Sequence, residues 1–358
     1  MIKRRRTKTV SIGAIKIGGR NPISIQSMTK TDTANLAATI RQIKALERCG
    51  CEVIRVAVKN MSGATVLGKI KTKIHIPLVA DIHFNYRLAL QALACGVDGL
   101  RLNPGNIYRP EEVKQVAKAC KRHKIPIRVG VNSGSLRSSG HNSKPTEQAE
   151  RMAKSALGYI EMLERFNFYD IIVSLKSSDV ATTVNAYRKL ASRCHYPFHV
   201  GITACGLSKQ GVVKSAIGIG SLLLEGIGDT IRVSLTGAPE EEVAAAKMIL
   251  QALGLRNFGP EIIACPTCGR CKVDLVKISR QVEQDLLRSQ HSLFAKRGLK
   301  VAIMGCEVNG PGEAAEADIG VACGANSAVL FRKGKLIKRV KATAIADTLI
   351  DEVKNALE

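Results

Sequence analysis

The sequence predicts an α/β protein, a (β/α)8 TIM barrel followed by a small α+β domain. Three observations carry this. Apolar runs recur at 22–28, 52–58, 77–83, 99–105, 125–132, 170–176, 198–204 and 230–236. Segments of helical periodicity lie between many of them, such as 35–48, 110–123, 146–165 and 239–253. Beyond about residue 254 the repeat stops. Strand–helix units in series close into a barrel, with a doubly wound sheet as the other arrangement they allow. The domains are placed at 1–254, a barrel with an N-terminal hairpin, and 255–358.

The hairpin comes first. Apolar residues alternate in 7–12 and again in Ile15-Lys16-Ile17, with only Gly13-Ala14 between, a connection that suits a type II′ turn. In the second domain a polar helix is expected near 273–292 and a strand at 299–304. Short apolar runs follow at 317–322 and 328–331, then an amphipathic helix at 342–357.

Composition narrows the class. Apolar residues make up 45% of the 358, Trp is absent and aromatics are 4%, so aliphatic side chains build the interior. Eleven cysteines without a pairing pattern, and no apolar segment after the basic start, point to a reducing cytoplasm. No run reaches the length of a membrane span. The net charge of +24 suits nucleic acid, an acidic partner or an anionic substrate. No motif reads bases and few aromatics are available to stack them, so nucleic acid is not the expected partner.

In a barrel, function sits at the C-terminal ends of the strands. Those ends carry Arg55; Asp81 and His83; Arg101 and Asn103; Arg128 and Asn132; Ser174 and Lys176; His199 and Thr203; and Arg232 and Ser234. The even spacing within each pair aims both members to one side of the strand. Five strands thus offer a cation, and Asp81 is the only acid at these positions. An unpaired buried guanidinium is costly, so the set calls for an anion, and diphosphate fits the Arg fork. Two loops belong to the same face. Residues 133–145 are Ser/Gly-rich and basic, a candidate lid. Residues 205–214 lead into a helix on which Lys214 is a further phosphate candidate.

The second domain carries Cys265-Pro266-Thr267-Cys268-Gly269-Arg270-Cys271 and, later, Gly305-Cys306-Glu307-Val308-Asn309-Gly310-Pro311-Gly312-Glu313. A C-x-x-C turn with a third cysteine from another turn builds a zinc or iron–sulfur site. Proline beside a ligand cysteine, and a Gly-Pro-Gly turn ending in a carboxylate, favour iron–sulfur with one open iron. Which three of the four cysteines bind is left open by the spacing.

With these residues in view, the chain resembles the bacterial 4-hydroxy-3-methylbut-2-enyl diphosphate synthase family of the non-mevalonate isoprenoid pathway. The matching stretches are 27–33, 81–84, 101–107, 125–132, 225–235 and both cysteine stretches, in order over nearly the whole chain. The resemblance implies a dihydropteroate-synthase-like barrel and a [4Fe–4S] cluster held by Cys265, Cys268, Cys306 and Glu313, with Cys271 outside the set. It implies reductive ring opening and dehydration of 2-C-methyl-D-erythritol 2,4-cyclodiphosphate. Ferredoxin or flavodoxin would supply two electrons, and a head-to-tail homodimer would form. Much of the family has Thr-Glu-Ala-Gly where this chain has Thr203-Ala204-Cys205-Gly206, so a proposed proton donor is missing. His83 is the expected substitute, with the Cys205 thiol as the other candidate. The alternative function is a basic nucleic-acid-binding protein with a structural zinc or iron–sulfur module.

Overall fold

The computed structural model describes residues 2–136, 144–288 and 298–356. The predicted lid is covered only at its ends, because 137–143 lie outside the described residues, as does the end of the helix expected near 273–292. The chain divides into two compact units, Met1–Leu253 and Gly254–Glu358.

The first unit begins with the hairpin β1 (Val10–Ile12) and β2 (Ile15–Ile17), paired Ile12 to Ile15, with Gly13 at φ +55° as the turn requires. A parallel eight-stranded sheet follows: β3 (Ser24–Met28), β4 (Val53–Val58), β5 (Leu78–Ile82), β6 (Gly99–Leu102), β7 (Ile127–Asn132), β8 (Ile171–Lys176), β9 (His199–Val200) and β10 (Thr230–Ile231). The strand order is β8-β7-β6-β5-β4-β3-β10-β9, and a parallel bridge between Val173 and Phe198 joins the two ends into a barrel. The last two strands are shorter than the apolar runs at 198–204 and 230–236. Arg232 and Ser234 therefore stand just past β10, although Arg232 N–H still donates to Val200 O at 3.0 Å.

The connecting helices are α1 (Leu36–Arg48), α2 (Met61–Thr65), α3 (Leu67–Lys71), α4 (Tyr86–Ala94), α5 (Pro110–His123), α6 (Pro145–Arg165), α7 (Val180–Ala191), α8 (Ser208–Leu224) and α9 (Pro239–Ala252). Asn35, Asn60, Asn85 and Asp179 cap four of them through side-chain oxygens, while α5, α6 and α9 begin at proline. The hairpin packs Val10, Ile12 and Ile17 against Val53, Val79 and Ile172 near the starts of β4, β5 and β8. That closes the N-terminal end of the barrel and leaves the opposite end for the site.

The second unit is a five-stranded mixed sheet, β11 (Glu261–Ala264), β12 (Lys300–Met304), β13 (Ile319–Cys323), β14 (Ser327–Arg332) and β15 (Lys335–Lys341), in that spatial order. The first three are parallel and the last two antiparallel. Helices α10 (Leu275–Arg288) and α12 (Ile345–Asn355) share a core with one face, and α11 (Gly310–Ala315) packs on Ala302, Met304, Ala322 and Phe331. The sequence reading missed β11 and β15. β15 is an edge strand exposed at all but one position, so Lys335-Leu336-Ile337-Lys338-Arg339-Val340-Lys341 has no buried face to generate alternation.

Candidate active site

At the C-terminal end of the barrel, the predicted residues from β4 to β8 are buried together. Arg55, Asp81, Arg101, Asn103, Arg128 and Lys176 are each at most 9% exposed. Asp81 accepts from Arg101 Nη1 at 3.0 Å and faces Arg55 Nε at 3.4 Å. Burial alone would raise the Asp81 carboxyl, but Arg101, Arg55 and Arg128 outweigh it and hold it below the usual carboxylate range. Arg101 lies over Gly130, where an added Cβ would meet its Nε at 2.4 Å, so only glycine leaves the room. Arg101 Nη2 donates to the Gly130 carbonyl at 3.0 Å.

Arg55 is under-satisfied: Nε and Nη2 donate to the sulfur of Met28, a weak acceptor, at 3.1 and 3.0 Å. Burial lowers Arg55 to about 9 against the pull of Asp81. Among the described residues Arg128 makes one bond, Nη1 to Gln26 Oε1 at 2.5 Å, and its Nε and Nη2 are buried without a partner. Burial first, then Arg55 and Arg101, push Arg128 well down. Lys176 Nζ stands 3.2 Å from His199 Nε2, and Gly201 leaves space beside it. Arg232 is half-buried, as are Ser234, Asn132 and His83. Asn103 is tied to the neighbouring loop through Ser135 Oγ at 3.0 Å. The His83 ring reaches Val58 O at 3.3 Å from Nδ1.

The structure adds an acid that comes from a helix rather than from a strand end. Glu242, in the first turn of α9, is 1% exposed and reaches this group. It accepts from Leu235 N–H at 3.1 Å and Ser27 Oγ at 3.3 Å, and it pairs with Arg232 at 3.3 Å and Lys30 at 3.2 Å. Asp81 is therefore joined by a second acid at the mouth. Five cations (Arg55, Arg101, Arg128, Lys176, Arg232) still face two carboxylates (Asp81, Glu242), with Lys30 at the rim. Lys214 is exposed on α8 and, among the described residues, makes none of these pairs. Cys205 is buried against α8, its sulfur 3.5 Å from Ser215 Oγ, which leaves His83 as the half-exposed candidate. Ala204, where the family's glutamate is missing, takes φ +51° and is exposed.

In the second unit the parallel strands bring the cysteine turns to one end of the sheet. Cys265 follows β11, Cys306 follows β12 and Cys323 ends β13. Gly305 N–H points at Cys265 sulfur, 3.3 Å away. Backbone N–H groups of Asn309, Val308 and Gly310 face Cys306, and its thiol is lowered mainly by them. The side chain of Arg270 lowers the Cys268 thiol. Glu313 is exposed in the first turn of α11, the helix that the Cys306 loop enters. Cys271 turns inward and donates to Val273 O at 3.2 Å; a Cβ on Gly305 would come within 2.4 Å of its sulfur. All eleven cysteines are free. Among the described residues no three His, Cys, Asp or Glu side chains are grouped to share one metal ion.

The GcpE TIM-barrel domain matches residues 7–247, and the GcpE protein C-terminal domain matches residues 261–355. The chain is 54% identical to 4-hydroxy-3-methylbut-2-en-1-yl diphosphate synthase (flavodoxin) of Thermodesulfovibrio yellowstonii, covering 99% of this chain and 100% of that one. It is 54% identical to the protein of the same name from Dehalococcoides mccartyi, covering 99% of each. Among solved structures, dihydropteroate synthase from Stenotrophomonas maltophilia matches with a TM-score of 0.52 at 12% identity, over 69% of this chain and 98% of that one. That likeness bears on the barrel fold alone. Among the described residues no helix is long and apolar enough to cross a membrane. The comparisons bear out the resemblance read from the sequence and give no support to a nucleic-acid-binding module. The chain belongs to the GcpE family, the 4-hydroxy-3-methylbut-2-en-1-yl diphosphate synthases, and is an oxidoreductase.

Proposed function

We propose that this chain reductively opens the ring of 2-C-methyl-D-erythritol 2,4-cyclodiphosphate and dehydrates it to (E)-4-hydroxy-3-methylbut-2-enyl diphosphate, with flavodoxin or ferredoxin as electron donor and flavodoxin favoured by the relatives' names. The observation that carries the substrate is the surplus of buried cation, above all the two nitrogens of Arg128, Nε and Nη2, that find no partner among the described residues. Buried donors are almost always bonded, so a pair left over at a cationic mouth marks where an anion's oxygens belong. Arg55, Arg101, Arg128, Lys176 and Arg232 bind and orient the diphosphate. Asp81 and Glu242 hold three of those guanidiniums in place. Asn103, Asn132 and Ser234 offer neutral hydrogen bonds beside them, and Lys214 adds a cation from α8. His83 holds a proton for the hydroxyl oxygen that departs as water.

Cys265, Cys268, Cys306 and Glu313 would hold a [4Fe–4S] cluster, and the free thiols at one end of the sheet fit that donor set. When bound, the cluster supplies the two electrons of the reduction. A head-to-tail homodimer in the cytoplasm completes the proposal; sedimentation at twice the 38.5 kDa of one chain checks the dimer. The decisive test is an anaerobic assay with the cyclic diphosphate and reduced flavodoxin, the product identified by mass. One tightly held zinc, no acid-labile sulfide and no product would overturn the reading.

A further inference from the structure

Lys176 and His199 are buried side by side, 6% and 0% exposed. Their nitrogens stand 3.2 Å apart. That hydrogen bond needs one of the two to offer a lone pair, so it excludes only the doubly charged pair: an ammonium or a neutral amine on Lys176 can each keep it with a neutral His199. The other imidazole nitrogen, Nδ1, is buried without a partner among the described residues.

The surroundings are cationic. The charges of Arg55 on β4, Arg128 on β7 and Arg232 past β10 act on both members, and that of Arg101 on β6 acts on Lys176. From α7, the Tyr187 hydroxyl is committed to His199 O at 2.6 Å. The two buried carboxylates are engaged elsewhere, Asp81 on β5 by Arg101 and Arg55, and Glu242 on α9 by Arg232 and Lys30. Burial first, then these like charges, hold both Lys176 and His199 well below their ordinary values.

We propose that the Lys176–His199 couple loads a proton onto the site: it holds one proton fewer in the ligand-free protein and takes one up when the cyclic diphosphate binds. This rests on the substrate reading above. A bound dianion reverses the local potential, so the amine becomes a full ammonium at the moment it gains a phosphate partner. His199 acts as a positioning residue, accepting from Lys176 through Nε2. The charge is then in place for the reaction. Ring opening breaks a carbon–oxygen bond, the oxygen stays on phosphorus, and a phosphodiester becomes a monoester with one more negative charge. Lys176 stands ready to neutralise that charge in a chain that has Ala204 where a glutamate is missing.

The experiment is titration calorimetry of the cluster-loaded protein with the cyclic diphosphate, anaerobic and without reductant. It is run near neutral pH in buffers of different ionisation enthalpy. Both phosphates of this ligand are diesters that ionise far below neutrality, so any proton counted comes from the protein. The expected result is uptake of about one proton per ligand bound. Lys176→Arg, whose side chain is charged throughout, should bind with uptake near zero, and His199→Gln should change the proton count even if the first variant folds poorly. Binding of wild type without uptake, or equal uptake in wild type and both variants, overturns this inference and leaves the assigned substrate standing. No binding at all overturns the substrate and this inference together.

Discussion

The two candidate sites are built on opposite plans. At the barrel mouth, charged groups are buried and interlocked: Asp81 between Arg101 and Arg55, Glu242 between Arg232 and Lys30. At the end of the second sheet, Cys268 is exposed and Cys306 half-buried, both on turns, aimed by backbone N–H groups and one arginine. The difference follows from what each site awaits. A substrate that enters and leaves at every turnover needs a receiver already shaped, with its cost carried by permanent ion pairs. A resident cofactor is installed once, so its ligands can lie on accessible turns that the bound group itself fixes.

That contrast sets the order of effects. Cys268→Ser or Cys306→Ser should abolish turnover and lose iron and sulfide, while the melting of the barrel unit stays within a degree or so of wild type. A variant that keeps its cluster absorbance would break the assignment of that ligand. Asp81→Asn should be the costliest change for stability, about 3–5 kcal/mol, because Arg101 and Arg55 lose a shared buried partner. Chemical unfolding measures it; a cost below about 1 kcal/mol would mean that water replaces the carboxylate. The same pair predicts a pH dependence. The Asp81 carboxyl lies lower when folded than when unfolded, so its stabilisation is complete above about pH 4 and is lost as pH falls through the native value. Cys271→Ser should be the mildest. Its thiol, partly buried against the core, bonds Val273 O and is not assigned to the cluster, so iron content should hold and stability should fall by about 1 kcal/mol or less. Loss of iron in Cys271→Ser would move it into the ligand set.

Much of the mouth was legible because strands impose a period of two. Arg101 with Asn103 and Arg128 with Asn132 announce a shared face before any coordinates. Glu242 escaped because it sits in a run of three glutamates at a helix start, where acids are ordinarily solvated. A signal was present: Glu242, Ala246 and Ile249 recur at helical spacing, and that face is buried. The Lys176–His199 contact joins two strands whose relative stagger no local pattern specifies. The cysteine end was legible as spacing alone. That Cys271 faces inward follows from the turn closed by its N–H on Cys268 O at 2.9 Å and from the missing Cβ at Gly305, which only the fold reveals.

The central claim is that the mouth holds more buried cation than its own carboxylates satisfy because an anion belongs there. Arg128→Met tests it most directly, through melting temperature with and without the cyclic diphosphate. The change orphans Gln26 Oε1, at a cost of about 1–3 kcal/mol. It also removes a desolvated charge repelled by Arg55 and Arg101, a relief of several kcal/mol. The account therefore predicts that ligand-free Arg128→Met melts no lower than wild type, and that the rise in melting temperature on adding ligand to wild type is largely lost in the variant. A variant that melts clearly lower when ligand-free, yet keeps the full rise with ligand, would contradict it and make Arg128 a structural residue of the barrel.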